Sequence, residues 1–455
     1  MRRSTLVGRL IVALLLLLGA DRALAQESIS IENPPPESVS DDKTSMGETF
    51  QPKPERERIT DVIKDYLKDS TPFLRDTTLT ANLRTEYLRQ DQFNGTTTKE
   101  AWAVGGALSY KSGLLLEHFG IGATAYTSLP IYAPEDRSGT LLLKNNQDSY
   151  SVVGELYGKI KLTDGLFATA YRQELNTPFI NRNDNRMTPN TFEAYDVIGN
   201  WSPGAVDDGT LTYGAAWVTK IKERNSERFV PMSEDAGAAV DRGVAVAGAN
   251  YKTTNGSLGV VDYYSNDIIN IGYAEGKYSH TFENGFGLLG TTQFTDERST
   301  GNDLLTGSSF AGNQVGGKLE GSYAGAVGTL AYTNTTSGTN MRNPWSSYPG
   351  YTSVQVEDFN RAAEQAFMVK ASYNFSRLRM PGVTVYALWV HGFGVTAATG
   401  QNEDEYDLDL QWRPPLPKLK GLSFRARMAM VNQRGGTHAT LDDYRLIVNY
   451  DFSVL

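Results

Sequence analysis

Two arginines have a spacing that could bind anions. Arg425 and Arg427 lie two residues apart in the segment 422–430, where apolar and polar residues alternate. If that segment is a β-strand, both guanidinium groups project from the same face, about 6.5 Å apart along the strand. Arg445, in the next alternating segment, has the same phase. Each guanidinium can bind a carboxylate through two hydrogen bonds, so a row of them could pass an anion from one site to the next.

The same arginines also have a purely structural explanation. On the polar face of a barrel, cations and carboxylates can pair with one another and hold the wall rigid. Glu174, Asp407 and Asp409 could serve as such partners, or they could bind an amino group of a solute. For any single arginine, the alternation alone favours the structural role.

The histidines and cysteines do not indicate an enzyme. No histidine has the spacing of a helical metal site, and none shows the pattern of a serine–histidine–acid triad. The chain contains no Cys, which excludes disulfides, thiolate metal sites and cysteine nucleophiles. We therefore predict no enzyme, no catalytic residue, no cofactor and no metal site. The four histidines are His118, His280, His391 and His438.

The arginines belong to a long series of alternating segments that starts at Thr78. In the clearest of them, 405–413, one face carries Tyr406, Leu408, Leu410 and Trp412, and the other face carries acidic and amide side chains. We count about eighteen such segments, and each has the length of about ten residues that a tilted membrane-spanning strand needs.

The lengths of the connections between the segments distinguish two possible folds, a soluble β-sandwich and a membrane β-barrel. Short turn signals such as Asp164-Gly165 and Asn284-Gly285 alternate with long connections such as 176–191 and 335–365. That asymmetry is typical of outer-membrane barrels. One connection, near 265–267, is short where the pattern requires a long loop. Because lipid supplies no hydrogen-bond partners, a spanning sheet must close on itself. We predict an all-β protein, a transmembrane antiparallel β-barrel of about 18 strands with a polar lumen.

Composition and the N-terminus complete the domain prediction. The net charge of −9 argues against nucleic-acid binding, and the mean hydropathy of −0.38 excludes a helical membrane bundle. Residues 1–25 have the basic start, short apolar run and Ala-Leu-Ala site of a signal peptide; the alternative, a membrane anchor, would need a longer apolar run. Residues 26–68 form a Pro-rich, charged segment that we predict to be disordered, except for a short amphipathic helix over 59–67. The barrel occupies 69–455.

The barrel region resembles the OprD-type substrate-specific outer-membrane porins. The resemblance covers nearly all of 69–455 and is carried by two loop motifs and the C-terminal strands. These are Asn185-Arg186-Met187-Thr188-Pro189-Asn190, Ser347-Tyr348-Pro349-Gly350-Tyr351-Thr352 with Phe359-Asn360-Arg361-Ala362, Gly421-Leu422-Ser423-Phe424-Arg425-Ala426-Arg427, and Asp443-Tyr444-Arg445-Leu446.

The resemblance implies inward-folded extracellular loops and a ladder of basic side chains that guides small carboxylates. By position, the ladder takes Arg84 from the first strand, Arg172 from the strand entering the third loop, Arg186 from that loop, and Arg425 and Arg427 from the penultimate strand. Lys370 joins it because it lies in the polar phase of its own strand. The family often has a second first-strand arginine where this chain has Gln90.

The resemblance also sets the expected function. We expect passive, substrate-selective diffusion of small carboxylate-bearing solutes, such as organic acids and amino acids, across the outer membrane of a Gram-negative cell. A non-selective diffusion porin is the alternative, and a plugged barrel that serves as an adhesin or enzyme scaffold is a third hypothesis. The expected partners are outer-membrane lipid and lipopolysaccharide, the barrel-assembly machinery and the solutes, without nucleic acid. The sequence is compatible with a monomer and with a weak homotrimer.

Overall fold

The structure, a computed structural model, describes residues 59–93, 95–204, 209–395, 400–434 and 439–455. The predicted signal peptide (1–25) and the predicted disordered stretch (26–58) lie outside these residues. The helix predicted over 59–67 is present as α1. Among the described residues, no helix has the length and hydropathy needed to span a bilayer.

Nineteen antiparallel strands form a single sheet within the described part of the chain. Their bounds are β1 (Thr78–Asp91), β2 (Thr98–Lys111), β3 (Phe119–Tyr132), β4 (Tyr150–Thr163), β5 (Leu166–Gln173), β6 (Thr191–Trp201), β7 (Thr210–Lys222), β8 (Val230–Pro231), β9 (Val244–Lys252), β10 (Gly256–Ser265), β11 (Ile269–Thr281), β12 (Gly287–Arg298), β13 (Ala311–Tyr323), β14 (Ala326–Thr335), β15 (Gln365–Asn374), β16 (Val383–Phe393), β17 (Asn402–Trp412), β18 (Leu422–Arg434) and β19 (Ala439–Ser453). The α-helices are α1 (Ile59–Leu67), α2 (Pro72–Arg75) and α3 (Met232–Asp235), and short 3₁₀ helices occupy Glu135–Arg137, Phe375–Leu378 and Pro417–Leu419.

The sheet closes into a barrel of eighteen spanning strands. Each strand pairs with the next along the chain, and β1 pairs with β19 from Thr80↔Ser453 to Asp91↔Asp442. The exception is β8, which has two residues and pairs only with Lys220 and Ile221 at the end of β7, while β7 pairs directly with β9. The closed eighteen-stranded architecture predicted from the alternating segments is therefore confirmed.

The two ends of the barrel differ as the turn signals indicated. At one end, β4–β5 and β13–β14 are joined by the dipeptides Asp164-Gly165 and Ala324-Gly325. At the other end lie long connections such as 174–190 and 336–364, which we call the third and seventh loops. The short link predicted near 265–267 is 266–268, between β10 and β11. Two turns at the end with the short connections, 375–382 and 413–421, are longer because each contains a 3₁₀ helix.

The turn into β18 depends on a glycine. Gly421 has φ +93°, and a Cβ placed on it would lie 1.9 Å from the carbonyl oxygen of Asp451. We expect Gly421→Ala to lower the free energy of unfolding by at least about 1–2 kcal/mol, because an L-residue is strained in this left-handed conformation. Urea titration of the refolded barrel would measure the change. Gly328→Ala is the matched control, since no atom lies within 4 Å of the added Cβ there; equal losses in both variants would contradict the argument.

The two faces of the strands have the orientation that the alternation predicted. On β17, Tyr406, Leu408, Leu410 and Trp412 are exposed on the outside, and Glu405, Asp407 and Asp409 are buried on the inside. Because the lumen is wide, its centre is filled by loops. Phe179 and Ile180 of the third loop and Trp345 and Tyr348 of the seventh pack in one buried cluster with residues of the inner wall. The expectation of inward-folded loops is confirmed.

Candidate functional site

The third and seventh loops meet across the lumen and narrow it. The backbone N–H of Asn181 donates to Oγ of Ser346 (2.8 Å), and that hydroxyl donates to the carbonyl oxygen of Asn181 (2.9 Å). Oγ of Ser347 donates to Oδ1 of Asn181 (3.0 Å). These hydrogen bonds tie the loop tips together, so that a solute must pass beside this bridge.

A buried tryptophan anchors the seventh loop at its tip. Trp345 is 2% exposed and belongs to the lumenal cluster. Its Nε1 donates to the backbone carbonyl oxygen of Met232 (2.9 Å), in the connection between β7 and β9. The tip of the seventh loop is thus held by both apolar packing and a buried hydrogen bond.

Acidic side chains of β17 anchor the same loop further along. Both carboxylate oxygens of Glu405 accept backbone N–H groups, from Val356 and Glu357, each at 2.8 Å. Asp407 accepts the N–H of Gln355 at 3.3 Å. Asp407, which the sequence offered as a site for a solute's amino group, therefore helps to position the loop.

The arginine pair on β18 points into the lumen. The Nε atoms of Arg425 and Arg427 both donate to Oδ2 of Asp409, at 2.8 and 2.9 Å. On β15, Nζ of Lys370 lies 4.3 Å from the ring centre of Tyr386, whose hydroxyl accepts from Arg427 at 3.3 Å. These three cations share one side of the lumen, since their strands lie within a run of four neighbours.

Arg84 connects this basic wall to the third loop. On β1, its Nε donates to Oδ1 of Asn449 (2.7 Å), and its Nη1 donates to Oδ1 of Asp184 (2.6 Å). Burial opposes the ionisation of Asp184, but the charge of Arg84 and its hydrogen bond outweigh it and lower the pKa of Asp184. The pair therefore stays ionised at neutral pH and holds the third loop against β1.

Arg186, in the third loop, is a cation without a carboxylate partner. Its Nε and Nη1 donate to the backbone carbonyl oxygens of Thr140 (2.9 Å) and Asn185 (2.7 Å), and it forms no ion pair with any residue that the structure describes. Burial, with repulsion from Arg445 and Arg224, lowers the pKa of Arg186 to about 9, although the charges of Glu86 and Asp443 act in the opposite direction. The side chain remains charged at neutral pH, so the third loop contributes a half-buried positive charge, free of any ion pair with a described residue, that an anion could contact.

The structure corrects the prediction for Arg172. On β5 it is in register with Leu156, which is half-exposed on the outer face, and with Glu193 on β6. Glu193 alternates with Phe192 and Ala194, which belong to the lumenal cluster. Arg172 therefore points outward. Because a shift of one residue moves a side chain to the opposite face of a strand, transfer by position alone was not sufficient.

Two basic residues near the site were not predicted. Lys318 shares the inward phase of β13, since Val315 and Leu319 are exposed on the other face, so alternation could have identified it. Arg224 follows β7 in a long connection, where no periodicity indicates direction. Its burial lowers the pKa of its guanidinium.

Two cavities remain beside the bridged loops. One, of about 370 Å³, has Lys318, Lys370, Arg427 and Asp407 in its lining. The other, of about 430 Å³, lies along β6, β7 and β9 to β11, and its lining includes Leu175, Pro178, Ile198, Val246, Tyr273 and Asp196. The lumen thus offers a charged compartment and a largely apolar one. No cluster of three or more metal-ligating acids or histidines occurs in the described ranges.

Removing the shared acid should increase the anion preference of the pore. Asp409→Asn leaves Arg425 and Arg427 without their carboxylate, so we expect the anion-to-cation permeability ratio to rise on the order of a few-fold. Reversal potentials in a salt gradient would measure it. Asp296→Asn removes the same charge from an outward-facing ion pair with Arg298 and should leave the ratio unchanged. A ratio unaltered by Asp409→Asn would show that this pair does not influence permeating ions.

Comparison with known proteins agrees with this geometry. The chain matches the family model described as outer membrane porin, OprD family, over residues 71–454. It is 22% identical to Porin D of Pseudomonas aeruginosa over 431 residues, which cover 84% of this chain and 92% of that protein. Crystal structures of Pseudomonas aeruginosa OccK9 (OpdG) and of OpdK with vanillate superpose with TM-scores of 0.76 and 0.72, at 24% and 21% identity. Each alignment covers 84% of this chain and 100% of the other.

The family match spans the whole barrel, and the similar folds are porin barrels with the same closure. Such porins reside in the outer membrane of Gram-negative bacteria. This chain belongs to the OprD family of outer membrane porins.

Proposed function

We propose that the barrel provides passive, substrate-selective diffusion of small carboxylate-bearing solutes, such as organic acids and amino acids. The observation that carries the proposal is Arg186, a half-buried cation of the third loop that forms no ion pair with any described residue. A half-buried guanidinium whose donors meet only backbone carbonyl oxygens can still form a charge-assisted hydrogen bond with a permeating carboxylate.

The route follows the basic side of the lumen. A carboxylate that meets Arg186 would find Arg84 beside it, and then the cations of β18 and β15 on the same side of the lumen, since only β19 separates β1 from β18. Asp184 and Asp409 already occupy Arg84 and the arginine pair, so a solute would compete with them for the same donors. That competition keeps each binding step weak, which a conducting pore needs.

Two further facts support a carboxylate as the solute. OpdK, a structural relative, was crystallised with vanillate. In this chain the apolar compartment lies on the other side of the lumen from the arginine pair and could accept an apolar body while the basic side binds its carboxylate.

A general diffusion porin is the second candidate. It is favoured by the ion pairing of Arg84, Arg425 and Arg427, which could serve only to stiffen the wall. The two candidates differ in saturation: a selective pore should show carboxylate uptake that saturates and competes, whereas a general pore should follow solute size alone.

The decisive experiment is an uptake panel in liposomes containing the purified barrel. Monocarboxylates, aromatic acids and basic amino acids would be compared with neutral solutes of matched size. Faster, saturable uptake of the carboxylates supports the proposal, and rates ordered only by size favour the general porin. Negligible conductance of the same preparation would instead favour a plugged scaffold.

Biogenesis completes the proposal. Residues 1–25 would direct export as a signal peptide, the barrel-assembly machinery would insert the chain, and the barrels could associate as a weak homotrimer. Crosslinking in native membranes would separate a trimer from a monomer.

A further inference from the structure

A charged patch lies on the outer surface of the barrel near its extracellular end. The register places Arg172 beside Glu193 and Glu193 beside Lys220, on three neighbouring strands. Val218 and Ile221 of β7 belong to the lumenal cluster, and an extra residue in β7 before Lys220 turns that lysine outward beside Glu193. We call Arg172, Glu193, Lys220 and Phe229 the rim patch.

The rim patch has an excess of positive charge and fixed geometry. Glu193 receives Nη2 of Arg172 on Oε1 (3.0 Å) and Nζ of Lys220 on Oε2 (3.1 Å), so two cations share one carboxylate. The guanidinium carbon of Arg172 lies 4.1 Å from the ring centre of Phe229, which fixes the plane of the guanidinium group. In the described contacts, Lys220 uses a single ion pair and Nη1 of Arg172 makes no hydrogen bond, so donors remain for an anion.

Aromatic side chains indicate the depth of the rim patch in the membrane. Tyr195 and Trp217 are paired across β6 and β7, point outward, and are 55% and 48% exposed. They lie two and three residues from Glu193 and Lys220, which is about 7 and 10 Å along a strand. Outward aromatic residues of a barrel mark the interface between hydrocarbon and headgroups. The rim patch therefore lies at the headgroup level of the outer leaflet.

We propose that the rim patch binds a phosphate group of an anionic lipid headgroup in the outer leaflet. The phosphate would bridge Arg172 and Lys220 with charge-assisted hydrogen bonds, the fork of the guanidinium providing two of them. Lipid anions accumulate at basic side chains held at this depth. The barrel wall separates the rim patch from the lumen, so this site is independent of the solute that the pore carries.

The test compares lipid binding by intact barrels in detergent. Native mass spectrometry would titrate bisphosphorylated lipid A, with a fully dephosphorylated form as the reference lipid. The double variant Arg172→Gln/Lys220→Gln should bind the bisphosphorylated lipid at least about tenfold more weakly, with no change toward the reference lipid. Arg89→Gln is the matched control, because Arg89 is also an outward cation near the extracellular end, paired with Asp91. Wild-type affinity in the double variant, or an equal loss in Arg89→Gln, would overturn the proposal.

A second variant tests the proposal by a gain of binding. Glu193→Gln removes the carboxylate that competes with the lipid phosphate for both cations, so binding of bisphosphorylated lipid A should tighten. Weaker binding in Glu193→Gln would overturn the proposal. Inorganic phosphate that binds as tightly as the lipid would also overturn it, because the rim patch would then be a soluble-anion site. Single-channel conductance should stay at the wild-type level in all these variants, and a change would place the patch in the pore.

Discussion

Arg186→Gln should abolish most of the selectivity of the pore for carboxylates. The substitution removes a cation that forms no ion pair with any described carboxylate, and a charge-assisted hydrogen bond contributes about 1.5–3 kcal/mol. We therefore expect carboxylate uptake at low concentration to fall by about tenfold or more. Neutral solutes of matched size should enter at unchanged rates. Liposome uptake and reversal potentials would both register the loss.

Two substitutions control for other causes of this loss. Arg186→Lys keeps the charge but loses the fork of donors, so it should retain anion preference while binding carboxylates less well. Arg172→Gln removes one cation from the outer face and should change neither uptake nor ion preference. If Arg186→Gln transports carboxylates as well as the unaltered protein does, the proposed role of the third loop is wrong.

Trp345→Ala should open the constriction. The indole is buried in the lumenal cluster and hydrogen-bonded to Met232, and truncation of a buried tryptophan costs about 3–5 kcal/mol. That loss should weaken the docking of the seventh loop and not the barrel, because the tip of the loop is not part of any spanning strand. Single-channel conductance should rise and become noisier, and the discrimination between carboxylates and neutral solutes should shrink.

Trp345→Phe separates packing from the hydrogen bond. It keeps an aromatic ring in the cluster but loses the Nε1 donor and part of the volume of the indole, so its effect should be about 1–3 kcal/mol and its conductance should lie closer to the original value than that of the alanine variant. Cleavage of the loop by added protease should follow the same order, with the alanine variant cut fastest. Identical conductance in all three proteins would mean that the seventh loop does not limit the pore.

The barrel itself was predictable because lipid imposes a simple rule on strands. Outward positions such as Leu408 and Leu410 must be apolar, and the inward positions between them are polar, so a period of two is visible in the sequence. The strand β8 was not predictable, because two residues carry no period. The conformations of the long loops could not be predicted either. The packing of Trp345 against the inner wall, for example, is a tertiary contact that no local sequence pattern indicates.

The residues of the candidate site were predictable where they lie in regular strands and not where they lie in loops. Arg425 and Arg427 lie in a regular strand, and their common direction followed from their spacing. Arg186 lies in a loop, so its place at the constriction came only through resemblance, and its missing carboxylate partner could not be read from sequence. Arg172 shows the limit of that resemblance. The resemblance placed Arg172 on the correct strand, but it did not predict which face of β5 the side chain occupies.

The pairing of the first and last strands, β1 and β19, affects how the barrel assembles. Asn82 and Asp451, 369 positions apart, hydrogen-bond across it, whereas every other neighbouring pair of spanning strands is joined by one local connection. Until the final strand arrives, the growing sheet keeps two unpaired edges that invite pairing with foreign strands. Joining ends so distant also carries the largest loop-closure cost of any strand pairing in the sheet. A free peptide with the sequence of Ala439–Ser453 should therefore inhibit the assembly of barrels that are still folding, and it should not affect barrels that have already closed.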